Sequence, residues 1–248
     1  TGWLASLKDG KYLEARVGGL TNTLRDKHRG LVNIPNPKKA YGARMRECLI
    51  AGKGKVSLGS DQSALEDRVK HHFMLVHDPE YVSTMMEDDY DPHILMAYTA
   101  GLITEEELRK FKLDKTSVGY HVTLARSAGK STNYSSVYGA GAATIARAAG
   151  VDLATGKLLH TAYWELNWSV TAIAEEQCVI VDSRDKQWLI NPINGFCYSL
   201  RAMKDRFSTL CQGTGTFFFD MWTDKVLDKM YETFGVKRLN GEFHDEFI

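Results

Sequence analysis

The chain has 248 residues, 44% of them apolar, and its 31 Lys or Arg balance 31 Asp or Glu. That content suits one large domain or two modest ones with a sizeable core, and no apolar run approaches the roughly 18–20 residues that span a bilayer. Zero net charge argues against a nucleic-acid partner only on average: Arg25 to Arg46 holds seven Lys or Arg and one acid, Asp26, whereas residues 87–91 read EDDYD. Blocks of this kind permit a basic surface beside an acidic centre, although each taken alone also reads as a solvated face.

The opening residues, TGWLASLKDGKYLEAR, lack both an initiator Met and a charged-then-apolar signal pattern, which predicts a processed chain or a fragment. The segment RGLVNIPNPKKAYG is an irregular Pro/Asn-rich connection. RMRECLIA and GKVSLGSD then read as short strands around a Gly turn, and QSALEDRVKHHFMLV has helical spacing, with Leu65, Val69 and Phe73 on one side. TEEELRKFKL predicts a helix opened by a capping box of Thr104 and Glu107. One long helix is expected over KLLHTAYWELNWSVTAIAEEQ and a hairpin over QWLINPINGFCYSL. A second long helix, interrupted by Gly, is expected over MKDRFSTLCQGTGTFFFDMWTDKVLDKMYETFG, and a strand or tight turn over EFHDEFI. The result is a mixed α and β chain. Its four cysteines, Cys48, Cys178, Cys197 and Cys211, form no CxxC pair, so neither a zinc site nor a disulfide framework is expected and a reducing cytoplasm is the default.

Residues 126–141 read RSAGKSTNYSSVYGAG, with Arg126, Lys130, Tyr134 and Tyr138 at every fourth position. On a helix each such step drifts by only about 40°, so the four side chains form one slowly winding stripe. Two cations followed by two phenols suit a nucleoside triphosphate, with charge on the phosphates and a ring against the sugar or base. The plainer alternative is a packed Tyr pair and solvated cations. AGKST also resembles the end of a phosphate-binding loop, and GYHVTLA before it could be the required strand. However, Leu124 stands where the loop's first Gly belongs.

Two acidic positions stand far apart in sequence. Asp61 lies where a strand gives way to a helix, and Asp245 lies beside Glu246 in FHDEF. Brought together at strand ends, two aspartates could hold two divalent ions roughly 3.5–4 Å apart, the geometry of nucleotidyl transfer. Hard carboxylate oxygens suit Mg²⁺. Taken alone, each segment could be a turn or, for Ser63 and Glu66, a capping box.

In order along the chain come D-x-S-x-x-E-x-R (Asp61, Ser63, Glu66, Arg68), R-x-x-x-K-x-x-x-Y-x-x-x-Y-G (Arg126 to Gly139) and H-D-E (His244 to Glu246). This series resembles motifs A, B and C of family A, the polymerase-I-like DNA polymerases. TNTLR with Arg25, DPH with His93, and CQGTGTFFFDMW with Gln212 resemble the family's flanking segments. The resemblance covers nearly the whole chain, and its compact spacing is similar to phage members.

The resemblance implies an α+β fold: a right-hand polymerase palm, an antiparallel sheet with packed helices, plus mostly helical fingers. Residues 1–95 and 201–248 would form the palm and residues 96–200 the fingers. It implies template-directed addition of deoxynucleotides to a primer 3′-hydroxyl. Two Mg²⁺ would be held by Asp61, Asp245 and the Gln62 carbonyl. Arg126, Lys130 and His93 would grip the triphosphate, with Lys130 also able to protonate the leaving group. Tyr134 would stack on the incoming nucleotide, Tyr138 would hold the templating position, and Gly139 would let the backbone pass close to the template. Glu66 matches the ribose discriminator. Arg25, Gln212, His244 and Glu246 would contact primer–template DNA. Three positions depart from the family pattern: Ser208, where Asn is frequent, Ala64, and Asp220, which is often basic. The thumb and 3′–5′ exonuclease of the family are not matched, so a further polypeptide or chain segment supplying them is an expected partner, and no membrane is. Glu66 and Glu246 favour DNA over RNA synthesis. The alternatives are a single-subunit RNA polymerase-like enzyme, a non-catalytic DNA-binding subunit, or a P-loop hydrolase.

Overall fold

The computed structural model describes residues 3–31, 34–35, 37, 39–239, 241–243 and 246–248. The chain divides into two compact units, one of Thr1–Glu66 with Gln212–Ile248, the other of Asp67–Cys211.

In chain order the first unit opens with an antiparallel hairpin, β1 (Ala15–Leu20) and β2 (Asp26–Gly30). Next comes α1 (Gly42–Glu47), where the sequence pattern predicts a strand. Arg44, Met45, Arg46 and Glu47 are all good helix formers with no β-branched residue among them, and that local preference outweighs the short alternation. Of the second expected strand only β3 (Ser60–Asp61) forms. Ala64 follows with φ 52°, and α2 (Leu65–Met74) begins at once.

The second unit carries α3 (Pro79–Met85), α4 (Pro92–Thr99) and α5 (Glu105–Leu113). Asp78 and Asp91 cap the first two, each followed by Pro in the first turn, where its missing N–H costs nothing. The Thr104–Glu107 capping box on α5 is present, as expected. α6 (Tyr120–Ser136) follows, then α7 (Ala142–Ala149), α8 (Leu153–Leu166) and α9 (Trp168–Glu176). The expected single helix over residues 157–177 is therefore two. Asn167 breaks it with φ −118° and ψ 34°, its side-chain Nδ2 donating to the Tyr163 carbonyl at 2.8 Å. Such side-chain competition for backbone acceptors is why Asn is poor in helix interiors. Lys70 Nζ donates to Asn167 Oδ1 at 2.5 Å and lies 5.8 Å from the Tyr163 ring centroid.

A meander of β4 (Val179–Val181), β5 (Gln187–Ile190) and β6 (Cys197–Leu200) contains the expected hairpin. α10 (Arg206–Phe234) runs unbroken through Gly213 and Gly215, where an interruption was expected. Both glycines are buried, and a Cβ at Gly215 would meet Leu65 at 3.6 Å, an ordinary contact. The first unit closes with β7 (Glu242–Phe243) and β8 (Glu246–Phe247), giving the antiparallel order β3–β8–β7.

The core of the second unit has two apolar clusters. Ile94, Ala97, Ile103, Phe111, Val122 and Ala125 form one, and Met96, Ala100, Ala128, Ile145, Leu159, Ala162 and Tyr163 the other. Both draw on α4 and α6, so these helices are fixed from two sides. No helix among the described residues is long and apolar enough to cross a membrane.

Candidate active site

In the second unit, α6 presents Arg126, Lys130 and Tyr134 with helical spacing. The predicted stripe is shorter than expected. The helix ends at Ser136, so Tyr138 lies just past it, before Gly139 at φ 71°. The same element disposes of the phosphate-loop reading: Gly119 is the helix N-cap, and AGKST lies mid-helix rather than in a loop after a strand.

Arg126 is aimed by Asp91. Its Nε and Nη2 lie 2.9 and 2.7 Å from Asp91 Oδ2. The other oxygen, Oδ1, accepts from the backbone N–H groups of His93 and Ile94 at 3.0 and 3.1 Å. Burial opposes ionisation of Asp91. The hydrogen bonds from Arg126 and the Ile94 amide, with the Arg126 charge, outweigh it and hold the carboxyl below the usual range.

His93 sits in the first turn of α4, half-buried, with its ring centroid 6.0 Å from that of Tyr134. Asn133 Nδ2 donates to the Pro92 carbonyl at 2.9 Å and lies 3.2 Å from His93 Nδ1. Burial pushes the imidazole pKa down. Asp91 opposes that shift, and Arg126 and Lys130 add to it. Lys130 Nζ is 5.7 Å from the Tyr134 ring centroid, and Tyr134 is exposed. Helices α4 and α6 can approach this closely because Gly129 faces the His93 backbone; a Cβ there would stand 2.1 Å from the His93 carbonyl oxygen. The outcome is an exposed cation, a half-exposed guanidinium, an imidazole and a phenol gathered on two helices, an arrangement that can hold a polyanion bearing a ring.

In the first unit, Asp61 is exposed on β3 and pairs in register with Glu246, as Ser60 does with Phe247. Glu246 follows Asp245 directly in the chain. His244 and Asp245 themselves lie outside the described residues. Among the described residues no group of three or more His, Cys, Asp or Glu gathers as a metal site. Gln62 Oε1 is buried and finds no hydrogen-bond partner.

Glu66 lies in the first turn of α2, and its Oε1 takes Arg25 Nη1 at 2.8 Å. A tight turn presents Arg25. Leu24 takes φ 65°, the Thr21 N–H donates to the Arg25 carbonyl at 2.8 Å, and buried Thr23 donates through Oγ1 to Gln212 Oε1 at 3.4 Å. Gln212 thus braces the turn that carries Arg25. The structure brings Arg25, Glu66 and Gln212 into one network and pairs the strands that carry Asp61 and Glu246.

Beside Arg25 a cleft is lined by Leu24, Asp26, Phe219 and Asp220. Burial, with Asp26 and Asp224 nearby, pushes the Asp220 carboxyl up to about 6.

Three contributors escaped sequence reading: Asp91, Asn133 and Gly129. Only Asp91 left a signal, an Asp directly before Pro at a helix start, which marks an N-cap. Its second partner, Arg126, is 35 residues away and left none.

No protein-family profile matches the chain. It is 25% identical to the DNA-directed DNA polymerase of Escherichia phage T7 and 26% identical to that of Enterobacteria phage T3, each over 276 aligned positions. Those alignments cover 98% of this chain, which spans 36% of the length of either relative. Among solved structures it is similar to the POL domain of Pol1 from M. smegmatis in complex with DNA primer-template and dNTP. The TM-score is 0.68 at 17% identity, over 99% of this chain and 43% of that one. The expected mixed α and β polymerase fold is present. Similarity to the two phage enzymes along nearly the whole chain, joined to that fold, bears out the resemblance to polymerase-I-like DNA polymerases of phage type.

Proposed function

We propose that the chain is the palm and fingers of a DNA-directed DNA polymerase that adds deoxynucleotides to a primer 3′-hydroxyl. The observation that carries this reading is the in-register pairing of Asp61 with Glu246, the neighbour of Asp245. It supports convergence of the two acidic segments on one small sheet. The donor set fits Mg²⁺: the Asp61 and Asp245 carboxylates and the Gln62 carbonyl are hard oxygens, and the Asp61 carboxylate is open to solvent. Two Mg²⁺ bound there would activate the primer hydroxyl and stabilise the departing pyrophosphate.

The remaining roles belong to the chain's own groups. Arg126, with two nitrogens held by Asp91, keeps Nη1 for a phosphate oxygen. Lys130, on the same face of α6, meets the next phosphates and can donate a proton to the leaving group. His93 adds a donor from α4. Tyr134 stacks on the base. Tyr138 holds the templating position, with Gly139 leaving room for the template strand. Glu66, steadied by Arg25, occupies the space that a ribose 2′-hydroxyl requires, so a ribonucleotide meets a clash. Arg25, Gln212, His244 and Glu246 touch the primer–template minor groove, whose acceptors are common to all base pairs, so these contacts test pair shape without reading sequence. A further polypeptide or chain segment completes the grip on the duplex, and the reaction takes place in the cytoplasm of the host.

Primer extension with dNTPs against rNTPs tests the reading. Preferential dNTP addition is expected, with Glu66→Ala admitting rNTPs. Preference for rNTPs in the native protein would make it an RNA polymerase, and DNA binding without incorporation would make it a non-catalytic subunit.

A further inference from the structure

Asn133 has no part in the stripe that α6 presents. It lies one residue before Tyr134, half-buried, toward the start of α4. Its side-chain nitrogen is 2.9 Å from the Pro92 carbonyl oxygen and 3.2 Å from His93 Nδ1. A carbonyl oxygen only accepts, so the amide's nitrogen, not its oxygen, must face it, and that contact fixes the orientation of the whole amide. An amide nitrogen only donates. His93 Nδ1 must therefore be the acceptor, with a lone pair and no proton, and the ring's single proton sits on Nε2.

We propose that Asn133 is a positioning residue that holds His93 as the neutral Nε2–H tautomer, making it an uncharged hydrogen-bond donor to the phosphates of the bound nucleotide. The destination of that donor rests on the polymerase reading above; the tautomer does not.

The surroundings agree. His93 is anchored at its backbone, since its N–H donates to Asp91 Oδ1, and the Gly129 contact fixes its carbonyl side against α6. The charged groups facing the imidazole are Asp91 beside it, Arg126 and Lys130 from α6, and Asp67 from α2. The carboxylates favour protonation and the cations disfavour it; with burial, the balance falls on the neutral side. Protonation would also turn an Nδ1–H against the Asn133 N–H and forfeit that hydrogen bond. Two neighbouring cations already meet the triphosphate's charge. A neutral donor adds direction without adding a third cation that would have to be desolvated with them.

The test uses the full chain with ¹⁵N-labelled histidine and long-range ¹H–¹⁵N correlation, with His93 identified by the signals lost in His93→Gln. At neutral pH the wild-type ring should show a protonated Nε2 and an unprotonated Nδ1. Adding inorganic tripolyphosphate should shift the Nε2 resonance. In Asn133→Asp the new carboxylate accepts from Nδ1–H, so the imidazolium midpoint should rise by about one pH unit, a tenfold change in its equilibrium. A wild-type ring protonated on Nδ1, a midpoint unmoved in Asn133→Asp, or an Nε2 resonance indifferent to tripolyphosphate would each overturn the proposal. The wild-type tautomer decides even if the variant does not fold. None of these readings needs DNA or nucleotide joining, so absence of primer extension would count against the polymerase reading and leave this one to its own result.

Discussion

Replacing Gly129 with Ala adds one methyl group at the tightest approach of α4 and α6. An added Cβ would stand 2.1 Å from the His93 carbonyl oxygen, 3.1 Å from the His93 carbonyl carbon and 3.3 Å from Met96 Cβ. Ordinary contacts begin near 3.4 Å, so the helices must part by about 1 Å or more. Two effects compete. Ala is favoured over Gly in a helix interior by about 1 kcal/mol. Overpacking against backbone costs about 1–3 kcal/mol, and because the obstacle is a carbonyl in a capped helix turn, the upper end applies. A net loss of about 1–2 kcal/mol follows, equivalent to a fall in Tm of about 2–8 °C for a chain of this size. Parting the helices also carries His93 away from Lys130 and Tyr134, so tripolyphosphate affinity should fall with stability. Thermal melting and titration calorimetry on the same preparation read both quantities. A Tm that stays level or rises, as helix propensity alone dictates, would refute the close approach and with it the packing that assembles the cradle.

Asp91→Asn keeps a good N-cap but removes the charge that holds Arg126. A loss of about 1 kcal/mol is expected for this partly exposed pair, followed by Tm. The sign with pH is definite. The Asp91 carboxyl is depressed in the folded state, so its stabilisation is present above the unfolded value of about 3.9 and disappears as pH falls through the folded value. The Tm gap between wild type and Asp91→Asn should therefore close in acid; a gap that persists there contradicts the pairing. If Tyr134 stacks on the incoming nucleotide as proposed, its phenol can replace the hydrogen bond that a missing 3′-hydroxyl would supply, so efficient dideoxynucleotide use is expected and should be lost in Tyr134→Phe. Strong discrimination by the native protein, unchanged in the variant, would defeat that idea.

The three motif segments stand out in the sequence because the chemistry that the resemblance implies needs particular residue types at fixed spacings. A cation at Arg126, another four residues on, and an acid beside a second acid are local patterns. The α5 capping box was legible for the same reason, since Thr104 and Glu107 are three residues apart and need nothing else. What sequence could not supply was long-range partnership. Arg126 finds Asp91, Asn133 finds His93, and Thr23 finds Gln212 only after folding; local pattern marks Asp91 as an N-cap and singles out His93 and Gln212, but says nothing of which residue each will meet. The departures from the predicted secondary structure have local causes as well. At residues 44–47 helix propensity won over a short alternation, and at Asn167 one side chain broke a helix whose apolar spacing continues on both sides. At Gly213 and Gly215, both buried, the helix continues where glycine often signals an end.

The central claim is that Asp61 serves nucleotide joining on the sheet it shares with Glu246. Single-nucleotide primer extension by the full chain in Mg²⁺, with wild type and Asp61→Ala side by side, tests it most directly. Asp61 is exposed, so the variant should melt with the wild type. Addition of one templated deoxynucleotide by the wild type, abolished by Asp61→Ala and by chelation of the metal, is the expected result. Undiminished extension by a folded Asp61→Ala, or none by a folded wild type supplied with primer–template and dNTP, would contradict it.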